Sequence, residues 1–168
     1  AEVSILNIYD YLIESYHYRA INGYYVDDAS KINYFHKEAI RLNLERIDYF
    51  KKIGYNENNG SGDFIYFYRK QSAYHYFIDE FDKSLEYITM AINLAEQFLY
   101  QDRPLEELYY NRAEIKIIKE DYISAINDLI RAKNKKIHTD NIIIASELTE
   151  KAKKNHINDE TRISQLLS

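Results

Sequence analysis

Apolar residues recur along this chain at the three- and four-residue spacing of amphipathic helices, and no segment shows the strict alternation of a β-strand. One proline and four glycines leave few places where a helix must break. The pattern predicts an all-α chain, with helices at about 3–22, 29–53, 64–78, 82–100, 104–119, 122–136, 141–154 and 159–167.

Turn-forming residues separate these predicted helices. Asn22–Gly23 ends the first helix, and Asp27–Asp28 is suited to cap the second. The glycine-containing run 56–62 is a flexible loop, and Pro104 suits the first position of a helix, where its missing N–H has no partner in any case. The short connections elsewhere indicate helix hairpins.

Two of these hairpins, 68–93 and 109–134, repeat each other at an offset of 41 residues. A self-match at a fixed period of this size is typical of stacked helical repeats. Small residues in each copy predict the points where the two helices cross most closely, and large apolar residues are expected to fill the space between hairpins. The aligned pairs are Tyr68 and Tyr109, Ser72 and Ala113, Phe77 and Ile118, Phe81 and Tyr122, Ser84 and Ala125, Leu85 and Ile126, Ile88 and Leu129, and Ala91 and Ala132.

The second copy resembles the tetratricopeptide repeat. The resemblance rests on 109–113 (YYNRA), 120–122 (EDY), 125–126 (AI) and Ala132, with small and aromatic residues at the positions that this family uses for helix packing. The first copy has serine at two positions where the family has glycine or alanine. The family repeat has about 34 residues, and we assign the additional length here to two further turns of the second helix, at 94–100.

The resemblance implies an α-α superhelix, or solenoid, of two to three tetratricopeptide-like hairpins with a C-terminal capping helix. A single domain, 1–168, would contain a divergent N-terminal hairpin at 1–55, hairpins at 63–100 and 104–136, and capping helices at 140–168.

In this family the first helix of each hairpin lines a concave groove that binds a protein or peptide segment. An asparagine there can bond both the N–H and the C=O of an extended peptide, and a basic side chain can bind a carboxylate. The implied groove residues are Tyr66, Arg69, Lys70, Ala73 and Tyr76 in one hairpin, and Glu107, Tyr110, Asn111, Glu114 and Ile117 in the next.

Charge and composition argue against several classes of protein. The net charge of −5 gives no global basic field, so no nucleic-acid partner is expected. No apolar run approaches the roughly 18 residues of a membrane helix, and the first residues lack the features of a signal peptide, so we expect a cytoplasmic protein with no membrane partner. The absence of cysteine excludes disulfides and thiol catalysis. Because the chain begins with Ala1 rather than Met, we expect it to be part of a longer protein.

One spacing resembles that of a metal site. Glu14 and His17 have the Glu-x-x-His spacing of a di-iron helix pair. Such a site needs a second copy of the motif and two more glutamates, and the sequence has no other Glu-x-x-His. No metal or other cofactor is therefore expected.

A second spacing, Arg131 followed by His138, resembles an element of the small helical ribonucleases of the HEPN group. Arg131 belongs to the matched repeat helix, however, and a solvated helix end explains both residues. His36 and His75 lie among apolar neighbours and are interpreted as hydrogen-bonded core or groove residues. No phosphate-binding, dinucleotide-binding, zinc-protease or hydrolase motif occurs, so the sequence gives no specific reason to expect an enzyme.

The function expected from the sequence is noncatalytic binding of a protein or peptide segment. A sharper alternative is the peptide-sensing domain of a Gram-positive regulator of the Rap or Rgg/PlcR type, because long-helix repeats without cysteine resemble those sensor domains. A third alternative is a structural subunit that self-associates through exposed repeat edges to form a homo-oligomer.

Overall fold

The structure, a computed structural model, describes residues 2–22, 29–98 and 103–132, and all regular secondary structure in these ranges is α-helical. The helices are α1 (Glu2–Asn22), α2 (Ala29–Lys52), α3 (Ser61–Tyr76), α4 (Phe81–Gln97), α5 (Arg103–Ile118) and α6 (Tyr122–Ala132). The predicted all-α class is thereby confirmed for these ranges. None of these helices combines the length and the apolar character that crossing a bilayer requires.

Several predicted features lie outside the described residues. These are the turn after Asn22, the cap at Asp27–Asp28 and both helices predicted beyond residue 140. Helix α4 continues past Leu94 to Gln97, which is the first of the two further turns predicted at 94–100, and residues 99 and 100 lie outside the described residues.

The chain divides into two compact units, Ala1–Leu94 and Ala95–Ser168. The first unit holds α1, α2, α3 and most of α4. The second holds the last turn of α4 together with α5 and α6.

Helices α1 and α2 form an antiparallel pair in the first unit. Tyr9 near the start of α1 meets Tyr49 near the end of α2, whereas Tyr16 further along α1 meets Phe35 near the start of α2. The core that these helices share with α3 contains Ile13, Ala39, Leu42 and Tyr74. Burial of these side chains away from water is the main force that holds the three helices together.

The turns that join α3 to α4 and α5 to α6 have the same backbone geometry. Asp79 and Glu120, which are 41 residues apart, both adopt a left-handed conformation, with φ of 60° and 61°. Asp79 lies three positions after the last residue of α3 and Glu120 two positions after that of α5, and in each turn the backbone bonds are those of a Schellman motif. The Glu80 N–H donates to the His75 carbonyl (3.0 Å), and the Asp121 N–H donates to the Lys116 carbonyl (2.9 Å).

The predicted small-residue crossings are also present. Ser72 of α3 and Ser84 of α4 are buried and hydrogen-bonded to each other. Ala113 of α5 and Ala125 of α6 are fully buried in one apolar cluster. Tyr122, which was expected to pack between hairpins, lies in this same cluster and so belongs to the core of its own hairpin, as does Leu129.

Candidate functional site

The five groove positions predicted on α3 lie on one face of that helix. They recur at spacings of three and four residues, and each is half-buried: Tyr66, Arg69, Lys70, Ala73 and Tyr76. The opposite face carries the fully buried Gln71 and Tyr74. The structure therefore groups these five residues on a single partly accessible surface, which we call the α3 face.

Helix α1 contributes a carboxylate to the α3 face. The ammonium of Lys70 lies 2.7 Å from Oε1 of Glu14, and both side chains are partly exposed. The same ammonium lies 5.7 Å from the centre of the Tyr66 ring. Lys70 thus already binds one carboxylate, and a ligand carboxylate would bind beside Glu14 or replace it. The sequence had pointed to Glu14 only through its spacing from His17.

A buried arginine lies beneath Tyr66. The side chain of Arg46 is 1% exposed. Its guanidinium lies 4.2 Å from the centre of the Phe67 ring and 5.4 Å from that of Tyr66, within the range of cation–π contacts. It donates to the Asp10 carboxylate and to the Asn43 side-chain oxygen. Sequence reasoning missed this residue, because an arginine on an amphipathic helix ordinarily lies on the solvated face.

From Arg46 a chain of hydrogen bonds runs through the interior of the first unit. The Asn43 amide donates to Oε1 of Gln71 at 2.6 Å and to the Phe67 carbonyl at 3.0 Å. The Gln71 amide lies 3.4 Å from Nε2 of His75, and Nδ1 of His75 lies 2.7 Å from the Glu80 carboxylate.

Burial lowers the pKa of His75, against the opposing effect of Glu80. The neutral imidazole then donates through Nδ1 to Glu80 and accepts at Nε2 from Gln71. All bonds of the chain consequently point in one direction, from a guanidinium to a carboxylate, which is the arrangement in which hydrogen bonds strengthen one another. This network fixes α3 against α2 and so holds the α3 face in place.

The predicted groove positions on α5 likewise share one face of their helix. Glu107 and Glu114 are exposed, whereas Tyr110, Asn111 and Ile117 are half-buried. Tyr110 and Ile117 pack against the apolar cluster of the hairpin. Although Glu114 is exposed, nearby protein atoms displace enough water to raise the pKa of its carboxyl group. We call these five residues the α5 face.

Two basic residues of α5, Arg112 and Lys116, point away from this face, toward a buried carboxylate on α6. Asp128 accepts from Nε and Nη2 of Arg112 at 2.8 and 2.7 Å and from the Lys116 ammonium at 2.7 Å. A two-point guanidinium–carboxylate contact of this kind is both strong and geometrically specific. The two faces differ in charge: the α3 face carries Arg69 and the Lys70–Glu14 pair, whereas the α5 face carries Glu107 and Glu114.

The histidines differ in their surroundings. His75 is hydrogen-bonded, as predicted. His36 lies in the core, as predicted, and its ring stacks on Phe77 at 4.9 Å. Neither of its ring nitrogens makes a well-aligned hydrogen bond within the described residues, although the backbone of Ile32 is close enough to oppose the effect of burial on its pKa. Burial, followed by the proximity of His17, lowers its pKa to about 4.

The structure describes three of the four residues whose spacing resembles that of a metal site or a ribonuclease element. His17 lies against the His36 and Tyr74 rings, and no group of three or more His, Asp or Glu side chains within 2–22, 29–98 and 103–132 is arranged to hold a metal ion. Arg131 lies against the Tyr109 ring and 3.5 Å from the Glu96 carboxylate. His138 lies outside the described residues.

No family model matches this sequence, and neither comparison with curated proteins nor comparison with solved structures gives a match.

Proposed function

We propose that this protein is a noncatalytic binding module whose α3 face and α5 face each hold a protein or peptide segment. The observation that carries the proposal is the α3 face itself. It sets Arg69 and Lys70 beside two tyrosines, Tyr66 and Tyr76, and the helix below it is fixed by a buried hydrogen-bond network. A rigid scaffold that presents aromatic and basic side chains loses little entropy when a ligand binds.

The chemistry of the two faces differs, and the difference defines the segment that each would bind. The α3 face suits an acidic side chain or a carboxylate, flanked by apolar groups that contact the tyrosines. The α5 face carries Glu107, Glu114 and the Asn111 amide, so it suits a basic side chain and the N–H groups of an extended backbone.

We further propose that the hairpins belong to a tetratricopeptide-like α-α superhelix with a C-terminal capping helix. Support comes from the repeated Schellman turns at Asp79 and Glu120 and from the small-residue crossings in both hairpins. Tyr68 and Tyr109 add a third shared feature, because each donates its hydroxyl to a glutamate.

Selection from a displayed library of random peptides, with the intact chain as the target, tests this function. We expect enriched peptides that combine acidic and aromatic residues. Their affinity, measured by calorimetry, should fall in the Arg69→Ala/Asn111→Ala variant while its melting temperature stays unchanged. A matched control, Glu86→Ala/Asn93→Ala, removes two exposed residues of α4 and should bind as the wild type does. The proposal would be rejected if the selection enriched no peptide, or if the double variant and the control variant bound the enriched peptides with equal affinity.

A further inference from the structure

The outward side of α1 is strongly apolar although it is exposed. Six of the eleven exposed large apolar side chains in the described residues lie on this one helix. The three most exposed are Tyr11 (75%), Tyr18 (63%) and Ile8 (57%), while Ile13 and Ala20 on the other side are buried. We call this surface the α1 outer face, and it comprises Ile5, Ile8, Tyr11, Leu12, Ser15 and Tyr18.

The α1 outer face has the size of a protein interface. With 3.6 residues per turn, its members fall within about 140° of the helix circumference. An aromatic side chain covers roughly 150–250 Å², so two largely exposed tyrosines and three aliphatic side chains together present several hundred square ångströms. Contiguous apolar patches of this size on soluble proteins mark interaction sites, and one partner in a standard interface buries about 800 Å².

Charge narrows the class of partner. The arc of the α1 outer face holds one charged residue, Arg19, at its C-terminal end, and the central residues of the face are uncharged, so the face offers no charge cluster to an acidic or basic ligand. A helix that lies on a lipid surface carries lysines and arginines beside its apolar stripe. Helix α1 has Arg19 as its one arginine or lysine, against three acidic residues. The flanking acids Asp10 and Glu14 are paired with Arg46 and Lys70.

We propose that the α1 outer face binds the same face of a second copy of this chain, with the two helices antiparallel about a two-fold axis. Such an interface must be self-complementary, and dimers of this symmetry are the commonest soluble oligomers. A two-fold axis that passes between Tyr11 and Leu12 makes the face complementary to itself, because the small Ser15 of one copy leaves room for Ile8 of the other. Across it, Ile5 meets Tyr18 of the second copy, Ile8 meets Ser15, and Tyr11 meets Leu12.

The paired acids make this self-contact electrostatically acceptable. Because Asp10 and Glu14 are each neutralised within their own copy, apposition of two α1 helices brings no pair of unpaired carboxylates together. None of the five residues of the α3 face belongs to the α1 outer face. The dimer goes beyond the peptide binding proposed above and does not rest on it.

Sedimentation equilibrium of the intact chain over a wide concentration range tests the dimer. We expect the wild type to reach twice the monomer mass, and Tyr11→Glu to remain monomeric at every concentration, because it places charge at the centre of the interface. Since Tyr11 is exposed in the monomer, this variant should keep the helical circular dichroism and melting temperature of the monomer. Leu44→Glu, at an exposed leucine of α2, is the matched control and should dimerise normally.

A charge-pair rescue tests the antiparallel register. Mixing the Tyr11→Glu and Leu12→Lys variants should produce a heterodimer, because the new glutamate of one copy meets the new lysine of the other. A wild type that stays monomeric, a Tyr11→Glu variant that still dimerises, or a mixture without heterodimer overturns the proposal. So does a monomeric wild type that cosediments with phosphatidylcholine–phosphatidylglycerol vesicles, since the α1 outer face would then bind lipid.

Discussion

The hydroxyl of Ser72 donates to the backbone carbonyl of Ser84, and the hydroxyl of Ser84 donates to the carbonyl of Ser72, each at 2.8 Å. Helices α3 and α4 are therefore so close at this point that each serine reaches the main chain of the other helix. The aligned positions of the second hairpin hold Ala113 and Ala125, neither of which has exposed surface. In both hairpins the crossing has room for a side chain of very few atoms.

A larger residue at these crossings should destabilise the protein. Replacing Ser84 or Ala125 with Leu should lower the free energy of unfolding by about 1–3 kcal/mol, because packed helices cannot separate without losing other contacts. Urea unfolding followed by circular dichroism measures the change. The Ser72→Ala/Ser84→Ala double variant is the control, and since it reproduces the alanines of the second hairpin it should cost about 1 kcal/mol or less. Unchanged stability in the leucine variants would contradict the crossing geometry.

Loss of the Asp128 carboxylate should be more costly than loss of a surface charge. Asp128 is 3% exposed and is bound by two cations, Arg112 and Lys116, which are 12% and 15% exposed. Asp128→Asn would leave both cations largely buried without a counter-charge, and we expect a loss of about 3 kcal/mol in the free energy of unfolding. Asp48→Asn, at an exposed position of α2, should change stability by no more than about 0.5 kcal/mol. Similar melting temperatures for the two variants would show that the buried cluster contributes little.

Glycine should stabilise the two hairpin turns. Asp79 and Glu120 adopt positive φ values, which cost a residue with a side chain roughly 1–2 kcal/mol. Glycine avoids that cost but loses about 0.4–1 kcal/mol through the greater freedom of the unfolded chain. Asp79→Gly and Glu120→Gly should therefore each raise the free energy of unfolding by about 0.5–1 kcal/mol, measured by thermal and urea unfolding.

The neighbouring substitution Lys119→Gly provides the control for these turns. Lys119 has no positive φ to relieve, so glycine there should only destabilise, by up to about 1 kcal/mol. If Glu120→Gly destabilised as much as Lys119→Gly does, the left-handed geometry of the turn would be refuted.

Stability should fall in mildly acidic solution because of His36. Its pKa is lowered from 6.5 to about 4 by burial and by His17. Below pH 6.5 the unfolded chain gains a proton that the folded chain does not bind, so stability decreases as the pH falls and levels off near pH 4. Each unit of pKa shift corresponds to about 1.4 kcal/mol. His17 and His75, whose pKa values are also lowered, add to the loss in the same direction.

A variant isolates the contribution of His36. His36→Leu removes the titrating group but keeps an apolar side chain against Phe77. Urea unfolding between pH 7.5 and pH 4.5 should show a smaller loss of stability in this variant than in the wild type. Parallel pH profiles would exclude His36 as the cause of acid destabilisation.

Much of the local structure could be predicted from the sequence. The three- and four-residue periodicity placed six helices near their observed bounds, because an amphipathic helix must bury one side. The offset of 41 residues aligned Ser72 with Ala113 and Ser84 with Ala125, and the structure has both pairs at helix crossings. The same periodicity also placed the predicted groove residues of α3 and α5 each on a single face.

The charged interior could not be predicted in this way. Arg46 and Asp128 occupy positions where periodicity alone leaves burial and solvation equally open, and each is buried because residues distant in sequence supply its partners. Glu14 belongs to the α3 face only because α1 brings it to Lys70, 56 residues away.

The sequence by itself determined where the helices lie, how each hairpin turns and which side chains share a helix face, since these depend on neighbours within a few residues. Tertiary structure alone decided which polar residues are buried, which basic groups are already paired and which apolar face, that of α1, remains exposed. The physical reason is that the cost of burying a charge depends on the partners brought to it, and folding brings those partners from other helices.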